Sequence, residues 1–400
     1  MPWPTEAVVT EALADPAWRP LPFDEFVLKV HGRCNLSCDY CYMYELADQS
    51  WRHKPAVMAP AIFDAAVRRI AEHAAAHHLK SVSVVFHGGE PLLAGAEYLD
   101  RAASAVRSAL SGTARVALDI QTNGVLLAEP ILAVLRSHEI RVGVSVDGGE
   151  QAHDRHRRYA SGRGSYRAVL LGLERLRQPE NRHLFAGLLC TIDVSSDPVG
   201  VYEDLLAISP PSVNFLLPHA NWVSPPPGYV AGEPGTRYAD WLIAIFDRWY
   251  TAPRAPVRIH LFEEIINLVL GGASRSEAIG ISPVRMLVID TDGSIEQVDS
   301  LKSAFDGAPE TGLSVQAHAF DEALTHPSVV ARQRGVAALS ATCRACPVHR
   351  ICGAGLYPHR YHPDTGFLNP SVYCSDLRRL IEHIHQRVHA DLRQFKEDCQ

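Results

Sequence analysis

Nine cysteines in this chain of 400 residues gather mainly into two tight sets. Cys34, Cys38 and Cys41 lie in HGRCNLSCDYCYMY with C-x3-C-x2-C spacing, and aromatic Tyr40 stands just before the third thiol. Three thiolates can hold three irons of a four-iron cubane and leave the fourth open, and an open position is what separates a catalytic metal site from a closed structural one. A structural zinc site would need a fourth ligand, for which His31 is near in sequence. Cys343, Cys346 and Cys352 form CRACPVHRIC, and Cys374 follows after GAGLYPHRYHPDTGFLNPSVY. Four thiolates make a closed site, and composition leaves zinc and a second cluster both open there. Cys190, inside the apolar run LFAGLLCTI, reads as a core residue, and Cys399 as a terminal thiol.

Such thiols need a scaffold to place them. From about residue 23 to 217, β-rich runs (Phe26–Val30, Val82–Phe86, Val116–Gln121, Val142–Val146, Leu184–Ile192, Val213–Leu217) alternate with helical patterns at 60–78, 96–110, 130–138, 165–177 and 199–208. Strands alternating with helices of this length imply an α/β fold with a parallel sheet of βαβ units. Six repeats suit a partial (β/α)6 barrel, an open relative of the TIM barrel, better than a closed eight-stranded one. Residues 1–22 form an N-terminal extension and 23–217 the barrel. The stretch 218–335 is a bridging region: a Pro/Gly-rich loop, helices at 236–250 and 259–271, and a hairpin turning at Asp292-Gly293 in MLVIDTDGSIEQVD. Residues 336–400 carry the second cysteine set and end in a helix from about Leu377 to Phe395.

The bulk numbers exclude other classes. A net charge of −7 with interspersed signs argues against nucleic acid, and the basic patch Arg155–Arg158 is too short to change that. No run of about 18 apolar residues suggests a membrane span. The acidic, proline-bearing start is unlike a signal peptide, and clustered cysteines in a long chain are unlike a disulfide framework, so the expected location is cytoplasmic.

The first cysteine segment matches the signature of radical S-adenosylmethionine (SAM) enzymes, and the chain resembles that family over almost its whole length. The resemblance implies a three-cysteine [4Fe–4S] cluster whose open iron binds the amino and carboxylate groups of SAM. Reductive cleavage of SAM then yields methionine and a 5′-deoxyadenosyl radical, which removes a hydrogen atom from an unactivated carbon. Several motifs follow successive strands, as sites at the C-terminal ends of barrel strands do. HGGEP supplies Gly88, Gly89, Glu90 and Pro91, which the resemblance assigns to the methionine amino group, with Glu90 able to accept from an ammonium. Gln121 and Asn123 in QTNG can bond polar cofactor groups, and Ser145 in SVDG suits a ribose or carboxylate. Arg157 in HDRHR resembles the arginine that pairs with the SAM carboxylate in related maturases, a role that suits its planar fork. Each of these turns alone is an ordinary βα connection; their order behind one cysteine signature carries the argument.

After such a core, Cys343, Cys346, Cys352 and Cys374 resemble a SPASM-type segment binding an auxiliary [4Fe–4S] cluster. The full pattern needs about seven cysteines; here Val298 precedes Asp299 and Leu356 stands where further thiolates would be expected. One auxiliary cluster is therefore expected, closed by four thiolates and suited to electron transfer. The runs CGAGLYPHRYHPDTGFLNPSVYCSDL and TDGSIEQVDSLK resemble the FxsB-like, cyclophane-forming (triceptide-type) peptide maturases. That resemblance implies removal of a β-carbon hydrogen in a ribosomally synthesised precursor peptide and a C–C crosslink to an aromatic ring. It also implies Asp299 as proton acceptor and a low-potential donor such as ferredoxin or flavodoxin; Asp299 otherwise reads as an exposed hairpin carboxylate. His359, Arg360 and Tyr361 line a peptide channel or pack around the cluster. Two rivals remain: thioether formation or formylglycine generation by a radical SAM maturase, and a zinc-binding scaffold without activity.

Overall fold

The computed structural model describes residues 6–15, 17–230, 235–253, 255–274 and 276–398; Cys399 lies outside them. The alternating sequence folds as β1 (Glu25–His31), β2 (Ser81–Gly88), β3 (Arg115–Thr122), β4 (Arg141–Ser145), β5 (Phe185–Thr191), β6 (Ser212–Leu216) and β7 (Arg258–Ile259). Each pairs in parallel with the next. Helices 60–76, 96–110, 129–137, 166–176 and 198–207 connect these strands. Helix 96–110 shows why: Leu99, Ala102, Ala103, Val106 and Leu110 recur at helical spacing and are all buried. In β2, Val82, Val84 and Phe86 are buried, whereas Ser83, Val85 and His87 on the opposite face are only half-buried. A closed barrel fills its interior with side chains; here the inner face borders open space.

The sheet extends beyond the six expected strands. Its order is β10-β9-β8-β1-β2-β3-β4-β5-β6-β7, with β8 (Met286–Ile289), β9 (Ser294–Glu296) and β10 (Glu310–Ser314) added at one edge. The hairpin turns where expected, with Gly293 at φ +87°, but β8 pairs in parallel with β1, from Glu25↔Met286 to Leu28↔Ile289. The hairpin thus belongs to the barrel sheet, bringing the residues after it against the loop that leaves β1. Strands of two to five residues carry too little alternation to be assigned a partner from sequence. The final helix, Cys374–Asp398, buries Leu377, Leu380, Ile381, Ile384 and Val388 and packs on helices 237–250 and 260–269. No described helix is long and apolar enough to cross a membrane.

Candidate active site

The first cysteine loop leaves β1 and is stitched to the turn after β2. The Gly89 amide donates to the His31 carbonyl at 2.9 Å, and the Glu90 amide to that of Arg33 at 3.0 Å. The approach is close enough to demand glycine. Gly88 has φ +139°, and a Cβ there would lie 2.1 Å from the His31 oxygen; one on Gly89 would lie 1.7 Å from the Tyr44 hydroxyl. Pro91 opens the short helical turn 91–94 that follows. Glu90 is fully buried and accepts from the Leu92 amide (2.9 Å), the Thr122 hydroxyl (2.7 Å) and the Asn123 amide (2.8 Å). Its carboxylate therefore ties the turns after β2 and β3 together, and any bond to an ammonium would add to three already made.

Those turns reach the thiols. The Asn123 side-chain Nδ2 lies 3.7 Å from Cys34 Sγ and donates to Asn35 Oδ1 at 2.7 Å. Gln121 donates to the Ser145 hydroxyl at 3.1 Å, bringing the ends of β3 and β4 together. Arg157 Nη1 donates to the Tyr40 hydroxyl at 2.7 Å, and that hydroxyl donates to Asp147 Oδ2. Asp147 also accepts from the Thr191 amide at 3.0 Å, which anchors the array to β5. Arg157 Nε is buried without a partner, so the guanidinium keeps an unused donor beside the cysteine loop. Sequence reasoning took Ser145 from the SVDG motif and missed Asp147 two residues on, the one buried acid of the same turn.

The donor set fits an iron–sulfur cluster. Burial pushes the Cys34 thiol up to about 11 and Cys41 to about 12, and raises Cys38, each also feeling a neighbouring cysteine or carboxylate. Left empty, these are neutral thiols; a bound metal deprotonates coordinating thiols outright. In a tetrahedral zinc site with Zn–S bonds of about 2.3 Å, the sulfurs sit ~3.8 Å apart. Among the described residues only His73, His77 and Asp321 bring three ligand atoms within 4.8 Å of one another; neither cysteine set does. His31, the possible fourth zinc ligand, directs Nδ1 at the Arg33 backbone instead. His73, His77 and Asp321 read as a structural triad. His73 Nε2 accepts from the Phe23 amide at 3.1 Å, which places the proton of a neutral ring on Nδ1, facing Asp321 at 2.6 Å.

Asp299 is buried and lies 2.5 Å from Lys29 Nζ on β1. Lys29, fully buried, also pairs with Asp290 (2.9 Å) and Glu296 (3.1 Å). Burial opposes its charge, yet the three carboxylates outweigh burial and hold it well above the ordinary lysine range. Lys54 adds to Asp290 and Glu296, and Lys302 binds Asp48 at 2.6 Å. Three lysines thus face four carboxylates, and this network docks the hairpin onto β1. Asp299 is no exposed hairpin acid: its charge acts on Tyr42 and His87. Nothing in the spacing of Lys29, Lys54 and Lys302 signals this network, because its members come from three separate stretches: Lys29 on β1, residues 48–54 and residues 290–302.

The second cysteine set is brought together as well: Cys352 and Cys374 each feel Cys343, Cys352 feels Cys374, and Cys374 feels Cys346. Ser340 caps the turn carrying Cys343, accepting from its amide at 3.2 Å. Gly353, Ala354 and Gly355 are all left-handed, at φ +59°, +63° and +65°. Their carbonyls converge on buried Arg360, which donates to them at 2.6, 3.2 and 2.8 Å. His359, Arg360 and Tyr361 are all buried, and the Arg360 charge is felt by Cys352. Val298 is buried and Leu356 borders the barrel cavity, so neither position supplies a thiolate. That cavity, about 670 Å³, is bordered by Gln121, Asn214, His219, Leu356 and His359 among others.

Comparison with known proteins agrees with this geometry. Residues 28–182 match the model of the Radical SAM superfamily. The cysteine-type anaerobic sulfatase-maturating enzyme of Clostridium perfringens (strain 13 / Type A) is 22% identical over 92% of this chain and 97% of its own. The serine-type anaerobic sulfatase-maturating enzyme of Klebsiella aerogenes is 25% identical over 85% of this chain and 81% of its own. Among solved structures, anSMEcpe with bound AdoMet superposes with a TM-score of 0.78, at 21% identity over 92% of this chain and 98% of that one. Streptococcus suis SuiB bound to precursor peptide SuiA gives 0.56, at 13% identity over 88% and 76%. The fold is therefore the α/β radical SAM fold, although no comparison singles out the cyclophane-forming group. With three thiols in the loop leaving β1, the motif turns gathered around them and the family model aligned across that segment, residues 28–182 match the Radical SAM superfamily and the chain carries the radical SAM fold.

Proposed function

We propose that this chain is a radical SAM peptide maturase that oxidises a peptide side chain in the manner of formylglycine formation from Cys or Ser. The observation that carries this reading is the likeness to sulfatase-maturating enzymes along 92% of the chain. Cys34, Cys38 and Cys41 hold the SAM cluster. Arg157, Gln121, Asn123, Ser145 and the backbone at Gly88–Pro91 receive SAM, with Tyr40 bracing Arg157. Bound there, the cluster and SAM supply removal of a hydrogen atom from an unactivated carbon. Asp299, set by Lys29 near Tyr42 and His87, takes up the proton released on oxidation. Cys343, Cys346, Cys352 and Cys374 hold an auxiliary cluster that accepts the electron. Reducing equivalents come from a low-potential donor of the ferredoxin or flavodoxin kind, and the unpaired thiols suit a reducing, cytoplasmic compartment.

A second reading, the aromatic C–C crosslink, keeps one observation in its favour. Apart from terminal Cys399, the C-terminal region holds only four cysteines, and Val298 and Leu356 occupy positions where a two-cluster domain would carry thiolates. One experiment separates the two. Anaerobically reconstituted protein is given SAM, reductant and either a peptide bearing a sulfatase maturation site or the small peptide encoded beside the gene. A product aldehyde trapped by a hydrazide establishes the first reading. Loss of two hydrogens without an aldehyde, with a fragmentation gap between two residues, establishes the second. SAM cleavage with both peptides unchanged overturns both substrate assignments.

A further inference from the structure

We propose that the rings of Tyr42, His219, His359 and Tyr373 form the electronic path between the three-cysteine and four-cysteine sites. The path rests on the reading of both sites as iron–sulfur centres. Its ends are set by sequence: Tyr42 follows Cys41, and Tyr373 precedes Cys374. Its middle is set only by the fold. Ring centroids lie 4.6 Å apart from Tyr42 to His219, 6.3 Å from His219 to His359, and 4.9 Å from His359 to Tyr373. All three separations fall in the range of interacting aromatic pairs. The four rings come from the cysteine loop, the segment after β6, the turn 357–360 and the residue leading into the last helix. The Tyr373 hydroxyl donates to the Pro218 carbonyl at 2.8 Å, which locks the far end to the segment carrying His219.

The two histidines have no other evident employment. His359 is 2% exposed, and neither of its ring nitrogens has a hydrogen-bond partner; His219 Nδ1 is buried and unpartnered too. Buried polar atoms are rarely left unpaired, and such exceptions call for an explanation. Burial lowers His219 to about 4 and takes His359 well below its ordinary value, so both rings are neutral near pH 7 and place no fixed charge on the route. Electronic coupling decays steeply across gaps and saturated groups, and contacting π-systems shorten both. Leu356, His219 and His359 border the same cavity.

The electron count closes. A peptide carbon that has lost a hydrogen atom gives up one further electron and one proton to become oxidised. The proton goes to Asp299, and the single electron crosses the rings to the oxidised centre at the four cysteines. The rings are a bridge and are neither oxidised nor reduced.

The test uses the full chain with both centres reconstituted, without SAM or peptide. Flash photoreduction followed by freeze-quench EPR reads how fast an electron equilibrates between the two centres. His359→Leu should slow this by at least an order of magnitude at unchanged iron content and unchanged midpoint potentials, and His219→Leu likewise. His359→Phe, which restores a ring, should recover the wild-type rate. Wild-type transfer in His359→Leu with both centres filled, or no recovery in His359→Phe, overturns the path and leaves the maturase reading intact. Iron at the first site alone in the wild-type chain overturns the path together with the auxiliary-cluster assignment.

Discussion

The two cysteine regions are built by opposite strategies. Around Cys34, Cys38 and Cys41, the supporting groups are side chains from distant strands: Glu90, Asn123, Asp147, Arg157 and the lysine–carboxylate network on β1 and the hairpin. Around Cys343, Cys346, Cys352 and Cys374, support is local and largely backbone: one arginine gathering three carbonyls, a serine cap and a left-handed run of three residues. The difference follows from the tasks. A site that must present an open iron, SAM and a substrate carbon to one another needs groups converging from several strand ends. A closed four-thiolate site needs only to be wrapped. Buried charges are expensive to desolvate and repay that only with excellent geometry, which is why the charged network is confined to the first region.

The sharpest break of this contrast is removal of the ligands themselves. Cys34→Ala/Cys38→Ala/Cys41→Ala should abolish 5′-deoxyadenosine formation. Cys343→Ala/Cys346→Ala should keep SAM cleavage while losing peptide product; chromatography of both products with iron analysis checks this. Next, Lys29→Met leaves three buried carboxylates short of their shared cation and should cost ~3–5 kcal/mol. Arg360→Met, which removes bonds to neutral carbonyls, should cost less, about 2–3 kcal/mol. Denaturant unfolding of the two variants would reverse the comparison if Arg360→Met proved the more damaging.

Tyr40→Phe removes the hydroxyl between Arg157 and Asp147 without emptying the site. It should weaken SAM binding by about 2 kcal/mol, roughly thirtyfold, with little change in global stability; calorimetric titration with SAM measures it. The smallest effect is a pH slope. His359 is held neutral in the fold with a pKa well below 6.5, chiefly by burial. Below about pH 6.5 the unfolded chain takes up a proton that the folded chain refuses, so its contribution to stability is present above that pH and declines as pH falls. The slope is ~1.4 kcal/mol per pH unit per histidine. Unfolding of wild type and His359→Phe at about pH 6 and about pH 5 should show the variant losing less.

Much of this molecule was legible in its residues alone. The six main strands fall within two residues of their bounds, because alternating β-rich runs and amphipathic helices are local patterns. The cysteine sets stand out because Cys34–Cys41 and Cys343–Cys352 are closely spaced, and the turns bearing Gly88, Gly89, Asn123 and Ser145 were legible because each sits at the end of a strand. The tertiary structure alone decided the rest. It took the hairpin into the barrel sheet beside β1, turned Glu90 into a tie between two turns, joined Asp299 to Lys29, and brought His219 and His359 between Tyr42 and Tyr373. These are pairings between residues tens to hundreds of positions apart, made by polar groups once the apolar faces had packed. Periodicity and spacing act over a few residues, so they determine elements and local clusters of cysteines; which buried charge meets which, and which ring touches which, is settled only when the sheet order brings distant segments into contact.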